Sequence, residues 1–252
     1  MRSDQPIAVS VIIPAWNEAQ FIAKTLQNLQ QVLAELDVNS EIIVADNDST
    51  DETAAIATGM GARVVHESER HIARARNTGA GIARGQMLFF VDADTWPAAE
   101  HFQKAVALLQ SGEICGGGAA IEFDGLNRGP HRVGVSMWNR ISVRFNVAAG
   151  CFFFCTREAF DAVGGFSAKH YAGEEVYFSH SLKRWGKKHG KRFQVIPSPL
   201  VQTSGRKVEW FKPWEHFIVI LMVMLFPFVL RSRRLSWFWY KRPQSAQSST
   251  PE

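Results

Sequence analysis

Residues 86–94 read Gln86-Met87-Leu88-Phe89-Phe90-Val91-Asp92-Ala93-Asp94. The apolar run has strand length and no polar alternation, the pattern of a strand buried on both faces. It ends on two carboxylates one residue apart. Alternate residues of an extended chain share a side, so a strand end can aim both at one hard cation while the strand stays buried.

Working outward from this stretch, the same arrangement recurs. Val9–Ile13 is a short β-branched run that ends in Pro14-Ala15-Trp16-Asn17-Glu18. Glu41–Ala45 runs into Asp46-Asn47-Asp48-Ser49-Thr50-Asp51, and Ala62–His66 is a third run. From Asn17 and Glu18 onward, Phe21, Ile22, Thr25, Leu26, Leu29, Val32, Leu33 and Leu36 recur at helix spacing. Further helices are expected around Ala54, Ala55 and Ile56 and from Ile72 to Ala83. Strands alternating with helices of this length indicate a parallel, doubly wound sheet. Ligands of such sheets bind at the carboxyl ends of the strands. Any one of these polar strand ends is more often a helix cap or a turn. Three of them, each following an apolar strand, point to a site.

After Gly112 the pattern changes. Gly116-Gly117-Gly118, Gly164-Gly165 and two strand-like runs, Ala119–Phe123 and Cys151–Cys155, suggest a more irregular, mixed half. A helix is expected from Glu175 to Trp185, and a last strand, Phe193–Ile196, is closed by Pro197 and Pro199.

The 252 residues are 46% hydrophobic and 21% charged, which excludes wholesale disorder and a polytopic membrane protein. Three cysteines cannot form a disulfide framework, and the first ten residues lack a signal-peptide layout, so a reducing, cytoplasmic setting is expected. Charge is unevenly divided. Met1–Leu182 holds 14 Lys/Arg against 21 Asp/Glu, whereas Lys183–Arg242 holds 14 Lys/Arg against Glu209 and Glu215. Such asymmetry suggests a polyanionic partner for the basic end.

Within that end, Phe217–Leu230 is an apolar run of 14 residues containing Pro227. As a helix it would extend about 21 Å, short of a ~30 Å hydrocarbon core. With Arg231, Arg233, Arg234 and the aromatic Trp237–Tyr240 beside it, residues 213–242 read as an in-plane or re-entrant anchor on an anionic membrane surface. A buried core or dimer helix and a short single span are the alternatives, and no nucleic acid partner is expected. The tail 243–252, rich in Ser, Gln and Pro, is expected to be disordered.

Val9–Glu18, Glu41–Asp51, His71–Gly79 and Phe89–Asp94 together resemble the nucleotide-sugar-binding half of an inverting family 2 glycosyltransferase. Ala148–Cys155, Arg157–Phe166, Gly173-Glu174-Glu175 and Leu182-Lys183-Arg184-Trp185-Gly186 agree with that family's second half. The resemblance spans roughly 9–207. It implies an α/β GT-A fold, a doubly wound mixed sheet with helices on both faces. It also implies a catalytic domain over 1–212, with a nucleotide-binding half at about 7–110 and an acceptor half at about 111–212.

Carried over by position, Pro14, Ala15 and Glu18 line the nucleoside pocket and Asp46 reads the base, usually uracil, so a UDP-sugar is the expected donor. Asn47 and Asp48 depart from the family's commoner Asp-Gly, which leaves the base open. Arg76 matches a basic residue beside the nucleotide. Asp92 and Asp94 match the motif that holds the ribose and a Mg2+ or Mn2+ ion. Glu174 and Glu175 match the acidic pair whose second member, typically Asp, is the general base. Arg206, after Thr203-Ser204-Gly205, either closes over the diphosphate or belongs to the basic surface. The implied reaction is sugar transfer, with inversion, to an acceptor hydroxyl or a lipid phosphate, a lipid-linked acceptor suiting a membrane-facing end.

Other signals are weaker. Gly79–Gly85 imitates a dinucleotide motif but precedes a strand instead of following one. Cys151 and Cys155 would stand about 13 Å apart on a strand, and with no second pair zinc is not indicated. The rival readings are a non-catalytic membrane scaffold of the same fold, which the intact carboxylates argue against, and a nucleotidyltransferase. The latter wants a Gly-rich basic loop where Pro14–Glu18 stands.

Overall fold

A computed structural model of the chain describes residues 6–125 and 130–206. Among the described residues the apolar runs form the middle of an eight-stranded sheet whose strands lie in the order β3 (Arg63–His66), β2 (Ser40–Asp46), β1 (Val9–Ala15), β4 (Met87–Val91), β7 (Phe152–Thr156), β6 (Ile114–Asp124), β8 (Arg192–Ser204) and β5 (Thr95–Trp96). β1 (Val9–Ala15) is buried throughout and lies parallel between β2 (Ser40–Asp46) and β4 (Met87–Val91). β3 (Arg63–His66) extends this parallel half at its edge. β7 (Phe152–Thr156) then runs antiparallel to β4, with Val91 opposite Phe152, so the whole sheet is mixed, as expected. β6 (Ile114–Asp124) pairs with β7 antiparallel and with β8 (Arg192–Ser204) parallel.

Pleat alternation distributes the phenylalanines between two cores. Phe89, Phe152 and Phe154 pack on one face with Leu26 and Leu29 of α1 (Ala19–Ala34) and Phe102 of α4 (Ala99–Gln110). Phe90 and Phe153 face the other way, against Phe160 of α6 (Arg157–Val163), Phe166, and Phe178 of α7 (Glu174–Lys188). The rings of Phe166 and Phe178 lie 4.0 Å apart at the centre of that second core.

Two close approaches position the site. α3 (Ile72–Ile82) lies so near β1 that a Cβ on Gly79 would stand 2.5 Å from Ile12 Cγ2. Gly79 therefore allows the contact that brings Arg76, one turn earlier, to the strand ends. Gly116-Gly117-Gly118 belongs to β6 and is not a loop. A Cβ on Gly117 would stand 2.0 Å from the Gln194 carbonyl oxygen of β8.

The helix expected around Ala54, Ala55 and Ile56 is α2 (Thr53–Gly59), whereas α4, α6, α5 (Pro130–Phe145) and the two-residue β5 (Thr95–Trp96) lie outside what the pattern of the sequence shows. β8 also continues beyond Pro197 and Pro199, pairing with β5 through Thr95↔Thr203 and Trp96↔Gln202. Between Ile196 and Val201 its register against β6 shifts, so both prolines sit in an irregularity where no ladder N–H is required. Among the described residues no helix is long and apolar enough to cross a membrane. The anchor read over 213–242 and the tail lie outside the described residues.

Candidate active site

The loops after β1 and β2 are interlocked. Asn17, held at φ 52°, donates its backbone N–H to Ser49 Oγ (2.9 Å) and accepts from the Thr50 N–H (2.8 Å). The Glu18 N–H donates to Thr53 Oγ1 (2.8 Å), and the first N–H of α1, from Ala19, donates to Asp51 Oδ2 (3.2 Å). The helix is thus capped from the neighbouring loop instead of by its own Asn17 or Glu18. Pro14 and Ala15 are the buried last residues of β1, and the Ala15 carbonyl accepts from the Asn47 N–H at 2.7 Å.

Asp46 ends β2 almost fully buried, with Oδ2 3.4 Å from His66 Nδ1. Its Oδ1 has no hydrogen-bond partner among the described residues. A buried, unsatisfied acceptor costs about 1–3 kcal/mol, which a donor from a ligand would recover. Asn47 is occupied differently. Its side chain donates to the carbonyls of Glu67 (3.2 Å) and Glu69 (2.6 Å) and accepts from the His71 N–H (2.9 Å), which ties the β3–α3 loop to β2.

The two carboxylates of Asp92-Ala93-Asp94 each meet an arginine. Arg76, fully buried, is 3.1 Å from Asp92 Oδ1 and 2.6 Å from Glu174 Oε1, and it donates to the Gly150 carbonyl at 3.1 Å. Burial opposes its charge, but Glu174, Asp92 and Glu175 outweigh that, and its pKa moves up. One guanidinium therefore joins the end of β4 to the first turn of α7. Arg206 joins Asp94 to the end of β1: its Nη2 is 2.9 Å from Asp94 Oδ2 and 2.6 Å from Glu18 Oε2, with the guanidinium 4.5 Å over the Phe21 ring. Arg206 is thus largely buried between Asp94 and Glu18, two of the candidate site residues. β5 and β8 deliver it there, since Thr95 and Thr203 share a hydroxyl bond of 2.8 Å and the Ser204 N–H donates to the Asp94 carbonyl at 3.0 Å.

Glu174 and Glu175 open α7 after Gly173, whose φ of 68° turns the chain into the helix. Glu175 is partly buried as a residue, but its carboxyl is densely surrounded; a Cβ on Gly150 would stand 3.5 Å from its Cδ. Burial first, then the charges of Glu174 and Asp92, push its pKa up to about 8 against the pull of Arg76. A carboxyl ionising near neutral pH is suited to proton transfer.

Among the described residues no three His, Cys, Asp or Glu side chains converge as a metal cluster. Asp92 and Asp94 nonetheless fit a hard divalent cation that takes its other ligands from a diphosphate and water. Arg206 beside Asp94 and Glu18 shows that positive charge is stable there. The three cysteines are free and buried, and burial raises each thiol.

Gly150 and Thr95 are the residues holding these groups together whose part the sequence does not signal. The pairings of Arg76 with Glu174 and Arg206 with Glu18 are likewise invisible, because they join residues 98 and 188 positions apart.

Polar strand ends on a mixed sheet, with an acidic helix start facing them, form the arrangement that the resemblance to a GT-A glycosyltransferase implies. A match to Glycosyl transferase family 2 covers residues 10–166, and the chain belongs to that family. It is 28% identical over 227 residues to 4,4'-diaponeurosporenoate glycosyltransferase of Staphylococcus haemolyticus, covering 82% of this chain and 57% of that protein. It is 29% identical over 193 residues to glycosyltransferase AglE of Haloferax volcanii, covering 71% and 62%. The chain thus spans less than two thirds of the length of these relatives. Among solved structures, the mannosyltransferase PcManGT of Pyrobaculum calidifontis, in complex with GDP-Man and Mn2+, superposes with a TM-score of 0.62 at 23% identity, covering 82% of this chain and 60% of that one. TarS 1-349 of S. aureus in complex with UDP-GlcNAc also gives 0.62, at 18% identity, covering 90% and 68%.

Proposed function

We propose that this chain is an inverting glycosyltransferase that moves a sugar from a nucleotide diphosphate sugar either to an acceptor hydroxyl, with Glu175 as general base, or to a lipid phosphate, which arrives already ionised and makes less use of that base. One observation carries the reading: Arg76 draws Asp92 of the donor half and Glu174 of the acceptor half onto a single guanidinium. The groups that would hold the leaving diphosphate and those that would activate the acceptor therefore face one space.

The roles divide by environment. Glu174 is committed to Arg76, which leaves Glu175, with its raised pKa, to take the proton from an acceptor hydroxyl. Asp92 and Asp94 would hold Mg2+ or Mn2+, which when bound supplies charge stabilisation to the departing diphosphate. Arg206 adds charge-assisted hydrogen bonds to phosphate oxygens once released from Glu18 or Asp94. Pro14, Ala15 and Glu18 wall the nucleoside side, and Asn47 positions that wall through the loop it holds. Asp46 Oδ1 accepts from the base. A uracil N3–H and a guanine N1–H would both satisfy it, so UDP is the donor nucleotide we favour on family grounds. Two relatives of the fold were crystallised with GDP-Man and with UDP-GlcNAc. We place the enzyme on the cytoplasmic face of a membrane, attached through 213–242, in glycan or glycolipid assembly.

The test is donor turnover, measured as released nucleoside diphosphate. Glu175→Gln is expected to lower it by about 10²–10⁴-fold, the usual contribution of a general base, with nucleotide binding intact. Near-normal turnover in the variant removes Glu175 as the base.

A further inference from the structure

The large apolar side chains left exposed among the described residues are Val133, Met137, Ile141 and Phe145 of α5 and Leu200 of β8. The four on the helix recur every fourth residue and form one ridge about 18 Å long. Val133 is 71% exposed and Phe145 62%, so nothing described here covers that ridge. Apolar patches of this kind commonly mark a binding surface.

Beside the ridge lies a groove of about 820 Å³ between α5, β6 and β8, walled by Ile121, Phe123, Val143, Pro197 and Leu200. Asn139 fixes α5 along it, donating to the Ile121 carbonyl (2.8 Å) and accepting from the Ile121 N–H (3.0 Å). Arg140 and Arg144 also line it, with Glu122 as the one acid. Residues 130–145 hold three arginines and no acidic residue. A concave, mostly apolar wall with a few polar groups is the usual form of a small-ligand site.

The groove adjoins the candidate active site through the backbone. Phe123 is registered against Thr203, whose hydroxyl contacts Thr95 and the Asp94 carbonyl. At the far end of α5 the chain passes from Phe145 through four residues to Gly150, whose carbonyl Arg76 holds.

We propose that this groove binds the apolar chain of the acceptor, and that the acceptor is an anionic amphiphile whose charge is met by Arg140 and Arg144. The inference rests on the glycosyl-transfer reading above and names its acceptor class. Charge decides between occupants. The apolar run 217–230 is followed by Arg231, Arg233 and Arg234, and a second copy would present the same arginines, so either would set like charges together. A flat bilayer could rest on the ridge but could not enter a groove, whereas a single chain does.

The test uses the full-length chain and calorimetric titration with farnesyl phosphate, with farnesol and inorganic phosphate as controls. UDP with Mn2+ is titrated separately on the same samples. Farnesyl phosphate is expected to bind saturably and more tightly than farnesol, and phosphate alone not to bind. Ser136→Trp, which fills the groove, and Arg140→Gln with Arg144→Gln are each expected to weaken farnesyl phosphate about tenfold or more. The UDP affinity of these variants should move by less than about twofold, as expected for separate sites. Failure of farnesyl phosphate to bind while UDP binds overturns the inference and leaves the glycosyl-transfer reading standing. Failure of both removes the reading beneath it. Farnesyl phosphate binding that ignores the groove variants but is lost in Met137→Asp places the amphiphile on the ridge, and also overturns the proposal.

Discussion

Glu174 and Glu175 are neighbours in the chain and chemically unlike. Glu174 gives its charge to Arg76 at 2.6 Å, whereas Glu175 is crowded by burial and by two other carboxylates and has its pKa pushed up to about 8. A carboxyl whose pKa is raised on folding contributes stability below its unfolded value of 4.5, and that stability is lost as the pH rises through about 8. The protein should therefore lose thermal stability between about pH 5 and pH 8 in a way that Glu175→Gln does not. Its Tm difference from the unaltered chain should grow more positive across that range, each kcal/mol shifting Tm by roughly 2–4 °C. A difference that stays flat with pH would mean that Glu175 ionises as an ordinary carboxylate. Asp46, Asp92 and Asp94 were legible as candidate site residues because each ends or follows an apolar strand. The use made of Asn47 was not legible, since nothing local shows that its amide reaches the carbonyls of Glu67 and Glu69.

At the scale of elements, the parallel half was readable because its strands are short apolar runs separated by amphipathic helices. β6 was half readable. Its Gly116-Gly117-Gly118 looks like a loop because glycine weakens strands, yet here it lets three backbones approach closely. Gly117→Ala is accordingly expected to abolish a stable fold, because its Cβ would meet backbone, the Gln194 carbonyl at 2.0 Å, which cannot turn aside as a side chain could. Gly112→Ala, where nothing lies within 4 Å but φ is 75°, should cost only about 1 kcal/mol or slightly more from backbone strain. Circular dichroism melts of the two variants would check this, and a well-folded Gly117→Ala protein would contradict the packing described. β8 was misjudged at its prolines for a sound reason: proline cannot donate to a ladder. The chain avoids that cost by placing both in the irregularity between Ile196 and Val201, then resumes pairing and carries Arg206 to the site.

At the scale of the whole molecule, two guanidinium bridges among the described residues, Asp92–Arg76–Glu174 and Glu18–Arg206–Asp94, tie the polar ends of distant elements together. The change from the parallel to the antiparallel part of the sheet was visible as a change of pattern after Gly112, and the acidic groups were visible one by one. Their convergence was not, because it depends on how far β7 reverses the chain and on where β8 ends. The central claim is that this convergence is a metal-assisted sugar-transfer site. The most direct measurement is release of nucleoside diphosphate from a panel of UDP- and GDP-sugars by the purified full-length protein with Mn2+, with and without EDTA. The account predicts slow hydrolysis of one donor, lost on adding EDTA. Silence across the panel, together with no nucleotide binding by calorimetry, would contradict it.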